Sequence, residues 1–212
     1  MFDPAPHTDP GPDAGLGFAD PVLDAAACFR AILDAMAQPA RPVALRRRPT
    51  PPAPLPAEAA AIALTLMDRE TPLWLDPAFA SPAVADYLRF QGGLRFADRL
   101  EDAAFAIAPI AAAASLIPKL AIGTAVYPDR SATAVLVADG LESGAAATLS
   151  GPGFEAPRRF APAGADAAFW RAAEANGALF PQGVDLLIAA PGALAGLPRS
   201  ARIQSAVEQG ED

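Results

Sequence analysis

Cysteine, histidine and lysine are almost missing from this chain, which holds one of each in 212 residues: Cys28, His7 and Lys119. A single cysteine cannot form an intrachain disulfide, and such usage suits a reducing cytoplasm. Neither an iron–sulfur cluster nor a Cys/His zinc set can be assembled from it. Cys28 falls in a predicted helix beside Phe29 and Ile32 and reads as a buried thiol. His7 lies in an acidic N-terminal stretch rich in proline and glycine, which leaves no Ser-His-Asp triad. Lys119, in "IPKLAIGT", is the one candidate Schiff-base lysine; standing next to a proline in a loop, it reads as solvated. No cofactor and no metal are expected.

Long apolar runs and basic charge are also scarce. The charge-free stretch Ala103–Pro118 is alanine-dominated, interrupted by Pro109 and too short to cross a membrane, so a soluble chain is expected. The start, "MFDPAPHTDPGPDAGLGFAD", has neither a basic head nor an apolar core; it is read as a disordered arm over residues 1–19, not a signal peptide. Residues 20–212 are read as a single α/β domain, since a chain of this length with 52% hydrophobic residues suits one core. A net charge of −8 argues against a nucleic-acid partner.

What is present alternates between helical and extended patterns. Asp20-Pro21 predicts an N-cap with proline in the first turn. Phe29, Ile32, Leu33 and Met36 then recur as an amphipathic face, ending before Pro39. "RPVAL" is a short strand candidate, followed by the proline-rich loop "RRRPTPPAPLP". Next come a helix over Ala57–Met67, a strand at Leu73–Leu75 and a helix opened by Ser81-Pro82. Further on are a strand at Ala103–Ala108 and a helix around Ala111–Leu116. Ala132–Ala138 and Ala145–Ser150 are read as two strands of a hairpin. A helix over Ala165–Asn176 is read as closed by Gly177 at its C-terminal end. Because most strands are continuous apolar runs, the expected architecture is a mixed, largely parallel sheet covered by helices on both faces.

Several motifs compete for chemistry. "GPGFEA" (Gly151–Ala156) fits a G-x-G-x-x-A pattern, but the prolines around it forbid the helix that a dinucleotide site needs. Arg46–Arg48 could hold phosphate and are read as a solvated edge. Asp68, Arg69 and Glu70 are read as capping and pairing locally. In "FPQGVDLLIAAPGALAGLPR" (Phe180–Arg199), an interior strand over Val184–Ala190 is fenced by Pro-x-Gly before and Pro-Arg after. Its Asp185 is costly beside a buried strand unless it is paired or bonded to backbone amides.

Taken in order, "FRAILDAMAQPARPVAL", "ALTLMDRETPLWL", "LRF", "GTAVYPDRSATAVL", "LSGPGF" and "FPQGVDLLIAAPGALAGLPR" resemble the PhnH family of the bacterial carbon–phosphorus lyase system. The resemblance implies a fold like the large domain of pyridoxal-phosphate-dependent transferases, without the cofactor. It also implies a homodimer that joins the G, I, J and K subunits, and a part in the step where a phosphonate displaces adenine from ATP. That step yields ribose 1-phosphonate 5-triphosphate. The lone chain is expected to be inactive. One departure is visible: the family's Pro-Arg-Thr-Thr is Pro198-Arg199-Ser200-Ala201 here, so one hydroxyl is kept and one lost.

Two rival readings stay open. A stand-alone enzyme would bind an anionic substrate through Gly123, Thr124, Asp185 and Arg199 in a cleft at the C-terminal ends of the strands. A pure assembly scaffold would bind none.

Overall fold

The computed structural model describes residues 16–205; the arm expected over residues 1–15 lies outside the described residues. Leu16–Ala19, counted above with that arm, pack on the domain: Leu16 bridges Thr50 and Phe18 is buried.

Six strands form the main sheet, in the order β1 (Val43–Ala44), β8 (Ala193–Leu197), β7 (Asp185–Ala190), β4 (Thr133–Val137), β3 (Phe105–Pro109), β2 (Leu73–Leu75). β2, β3, β4 and β7 run parallel, and β8 is antiparallel to both its neighbours. The mixed, largely parallel sheet expected from the sequence is therefore present. Successive residues of each strand enter two different cores, which explains the unbroken apolar runs. Ala134, Leu136, Leu186 and Ile188 face α4 (Ala113–Leu116) and α5 (Ala167–Gly177). Val135, Leu187, Ala189 and Ile107 face α1 (Pro21–Ala37), α2 (Ala57–Leu66) and α3 (Pro82–Gly92). On the first side the large residues of α5 fill the space left by alanines. Phe169 and Trp170 stack edge-on at 4.7 Å, and the indole N–H donates to Ala145 O.

Local signals set the helix starts. The Asp20 side chain accepts the N–H groups of Val22 and Leu23 with Pro21 in the first turn, and Ser81 accepts from Val84 in the same way. The face of α1 differs from the expected one. Its buried residues are Asp24, Cys28, Ala31, Ile32 and Ala35, while Phe29 and Leu33 are 46% and 51% exposed. Close approach decides this: a Cβ on Gly196 of β8 would stand 2.5 Å from Ala35 O, so only the small face of the helix fits against the sheet.

The expected hairpin of Ala132–Ala138 with Ala145–Ser150 does not exist. Both edges of β4 are taken, by β3 and β7, so β5 (Ala147–Ser150) joins a separate sheet ordered β6 (Arg158–Phe160), β5, β9 (Arg202–Ser205). The hairpin lies instead within the Phe180–Arg199 stretch, where β7 turns at Pro191-Gly192 into β8 and Ala190 pairs with Ala193. Gly177 is likewise no left-handed cap. It ends α5, where a Cβ would come within 3.3 Å of Ala201 O, so its smallness admits the turn before β9. The Gly151–Gly153 turn leads into β6 and not into a helix, as the flanking prolines require.

Candidate functional site

The β7–β8 hairpin returns the chain to the rim where it began, and this builds the site. Asp185 opens β7, and Arg199 follows the end of β8. The guanidinium grips the carboxylate at both oxygens, Nη2 to Oδ2 at 2.7 Å and Nε to Oδ1 at 3.2 Å. The Arg199 backbone N–H adds a third bond to Oδ1 at 2.9 Å. The acid in the apolar stretch is thus paired and amide-bonded, as the cost of burying a carboxylate demands.

The loop before β4 comes to the same place. Arg199 Nη1 donates to Pro128 O at 2.8 Å, Gln182 Nε2 donates to Gly123 O, and Gly183 N–H donates to Ile122 O. Thr124 Oγ1 accepts the Tyr127 N–H, closing a tight turn that holds Gly123 at a φ of +75°. A Cβ on Gly123 would meet Pro128 O at 2.9 Å. Gly183, at φ +114°, is pressed against Asn176 O. The four candidates Gly123, Thr124, Asp185 and Arg199 are therefore brought together.

They gather at the N-terminal ends of the parallel strands, however. Asp185 pairs with Thr133, the first residue of β4, so the cleft expected at C-terminal strand ends is not where these residues lie. The cause is the antiparallel β8, which carries Arg199 back to the starting rim. Of the four, Arg199 lines a cavity of about 390 Å³, together with Phe180, Ser200, Arg202, Glu174 and Pro152. The two loops that meet here carry large apolar side chains in water: Val126 is 76% exposed, Tyr127 49%, Leu179 45% and Phe180 62%.

Sequence reading missed two further features. Asn176 is buried, and its amide accepts the Val184 N–H and donates to Val184 O, both at 2.8 Å, standing in for a strand partner at the entry to β7. An asparagine in the last turn of a helix otherwise poor in polar residues was the available signal. The Arg46–Arg48 run is also not simply a solvated edge. Arg47 pairs with Asp24 and Arg48 with Glu58, and both carboxylates are buried. The Arg47 guanidinium, helped by the Asp20 N–H, holds Asp24 below the usual carboxylate range. Burial pushes Glu58 up, but the Gly192 N–H and Arg48 outweigh it and the net shift is downward.

Of the scarce reactive groups, Cys28 is 1% exposed, with burial raising its thiol, and Lys119 is exposed on a short 3₁₀ turn. Asp68 is engaged locally, accepting the N–H groups of Glu70 and Thr71, as expected. Among the described residues no group of three or more His, Cys, Asp or Glu is placed to hold a metal, and no helix is long and apolar enough to cross a membrane.

A family model described as bacterial phosphonate metabolism protein (PhnH) matches residues 16–204. The chain belongs to the PhnH family. A relative from Rhizobium meliloti (strain 1021), named alpha-D-ribose 1-methylphosphonate 5-triphosphate synthase subunit PhnH, is 37% identical over 187 residues, or 88% of this chain and 94% of the relative. The PhnH match begins at the Leu16 bridge and ends within β9, so the family unit comprises both sheets.

Proposed function

We propose that this chain is a subunit of the synthase in which a phosphonate displaces adenine from ATP to give ribose 1-phosphonate 5-triphosphate. In this reading it works as a homodimer with the G, I, J and K subunits in the cytoplasm, and those companions supply the reactive groups. The observation that carries it is the extent of the match to a protein named as a synthase subunit, which covers nearly the whole of both chains. Two features support it. The buried Cys28 and the exposed, isolated Lys119 are poorly placed for chemistry. The exposed apolar side chains of Val126, Tyr127, Leu179 and Phe180, on two hydrogen-bonded loops, suit burial against another subunit. A fold descended from the large domain of pyridoxal-phosphate transferases, with the lysine role lost, is part of the same proposal.

Co-expression with the other synthase subunits tests this. The chain should co-purify with them, the mixture should turn over methylphosphonate with ATP, and omission of this chain should abolish turnover. Turnover by the lone chain, or by the mixture without it, would overturn the reading.

One observation favours a second reading. The cavity lined by Arg199 and Arg202 has room for a small anion, and Arg199 also holds Asp185. Calorimetric titration with ATP and with methylphosphonate separates the two readings: heat that vanishes in Arg199→Ala would favour direct ligand contact.

A further inference from the structure

The main sheet is open at β1. Val43 and Ala44 pair with Leu194 and Ala193, and Leu45 N–H donates to Gly192 O at 2.9 Å. Backbone groups alternate sides along an antiparallel strand, so the N–H and C=O of Ala44 point away from β8. β1 is the outermost strand, and no described residue pairs with it on that side.

A groove runs along this edge beneath α1. One stretch, about 270 Å³, lies between Asp34 and Gln38 of the helix and the strand residues Arg41 to Ala44. The next, about 220 Å³, lies between Ala27, Cys28 and Ala31 and the residues Ala44 to Arg47. Ala44 lines both, so the two hollows meet at this strand residue. The helix wall is low, with alanines at positions 27 and 31 one turn apart, and a new strand would need only about 4.8 Å of separation from β1.

The strand wall is cationic. Arg41 lines the first stretch and Arg46 and Arg47 the second, against one acid, Asp34, in a chain whose net charge is −8. Arg47 and Arg48 hold Asp24 and Glu58 yet remain 57% and 39% exposed. A two-residue edge strand flanked by arginines is shielded against chance pairing, while the hollow beside Ala44 leaves room for a segment of matching charge.

We propose that the β1 edge receives an extended, acid-bearing segment of another subunit of the synthase, added as a strand beside Ala44 with its side chains against Ala27 and Ala31. This rests on the reading of the chain as a subunit. The arginines select the partner's charge, and the free backbone groups of Ala44 select its extended form.

Amide hydrogen exchange of the full chain, alone and co-purified with the other subunits, tests it. The Ala44 amide should exchange freely in the lone chain and slow by about 100-fold or more in the complex. Ala44→Pro deletes an N–H that the chain itself does not use, so it should keep the fold and lose the partner. Ala27→Glu, which fills the groove and repels acid, should do the same if the proline variant does not fold. Co-purification with Ala44 still exchanging freely overturns this proposal alone. Slowing in the concentrated lone chain overturns it in favour of a second copy as occupant. Failure to co-purify at all overturns the subunit reading together with it.

Discussion

Arg199 and Asp185 stand fourteen residues apart in sequence, and three hydrogen bonds join them: Nε and the backbone N–H to Oδ1, and Nη2 to Oδ2. The same guanidinium reaches Pro128 O. One side chain thereby ties the start of β7, the end of β8 and the loop before β4, with 15% and 22% of the two side chains left exposed.

Arg199→Ala leaves Asp185 half-buried without its cation, and removing one member of such a pair costs about 2–3 kcal/mol. For a domain of this size that corresponds to a Tm about 4–12 °C lower, readable by calorimetry. Arg199→Lys should recover less than half of the loss, because an ammonium cannot span both carboxylate oxygens and Pro128 O together. A Tm unchanged by the alanine variant would show that the pair holds nothing in place.

The entry to β7 depends on Asn176 and Gly183. Asn176→Ala strands both the N–H and C=O of Val184 in the core, at about 2–4 kcal/mol. Gly183→Ala forces a Cβ to within 2.9 Å of Asn176 O at a φ of +114°, and should be at least as damaging. Urea unfolding of the two variants checks both; a loss under about 1 kcal/mol in Asn176→Ala would mean that water replaces the amide.

These residues show what the sequence disclosed and what it hid. The apolar runs at Leu73–Leu75, Ala103–Ala108, Ala132–Ala138 and Val184–Ala190 mark strands buried on both faces, because each residue feeds one core or the other. Caps at Asp20 and Ser81 are local chemistry and were legible for that reason. Pairing is not local. Nothing in Ala145–Ser150 says that β4 has no free edge, so its membership of a second sheet was hidden. The α1 face was misread because periodicity counts apolar residues, whereas the approach of Gly196 to Ala35 selects small ones. Asp185 and Arg199 were visible as a costly acid and a fence. That they face each other depends on Pro191-Gly192 making a hairpin turn, and this placed the site on the opposite rim from the one expected.

Glu58 sets an acid limit on stability. Its folded carboxyl titrates below its ordinary value of 4.5, so between the two values the unfolded chain binds more protons. The stabilisation is complete above the ordinary value and is lost as pH falls through the depressed one. Glu58→Gln should therefore lower Tm by a constant amount from pH 8 down to about 5, and the gap should narrow at lower pH. Asp24 shifts in the same direction, so Asp24→Asn should show the same narrowing. A gap that widens toward acid would contradict the sign of both shifts.

The apolar rim separates assembly from folding. Val126 and Phe180 are 76% and 62% exposed, so charge at either should cost the isolated chain little, about 0.5 kcal/mol or less. Buried in a subunit contact, the same charge meets a dry surface, and losses of about 2 kcal/mol, or roughly thirtyfold in affinity, are usual for a central aromatic. Phe180→Asp should keep the wild-type Tm and lose the other synthase subunits on a sizing column, with Val126→Asp weaker in the same sense. Arg199→Ala makes the opposite prediction, a lower Tm with the patch itself intact. If Phe180→Asp remains fully assembled, the patch faces water in the complex and contact must come from elsewhere on the chain.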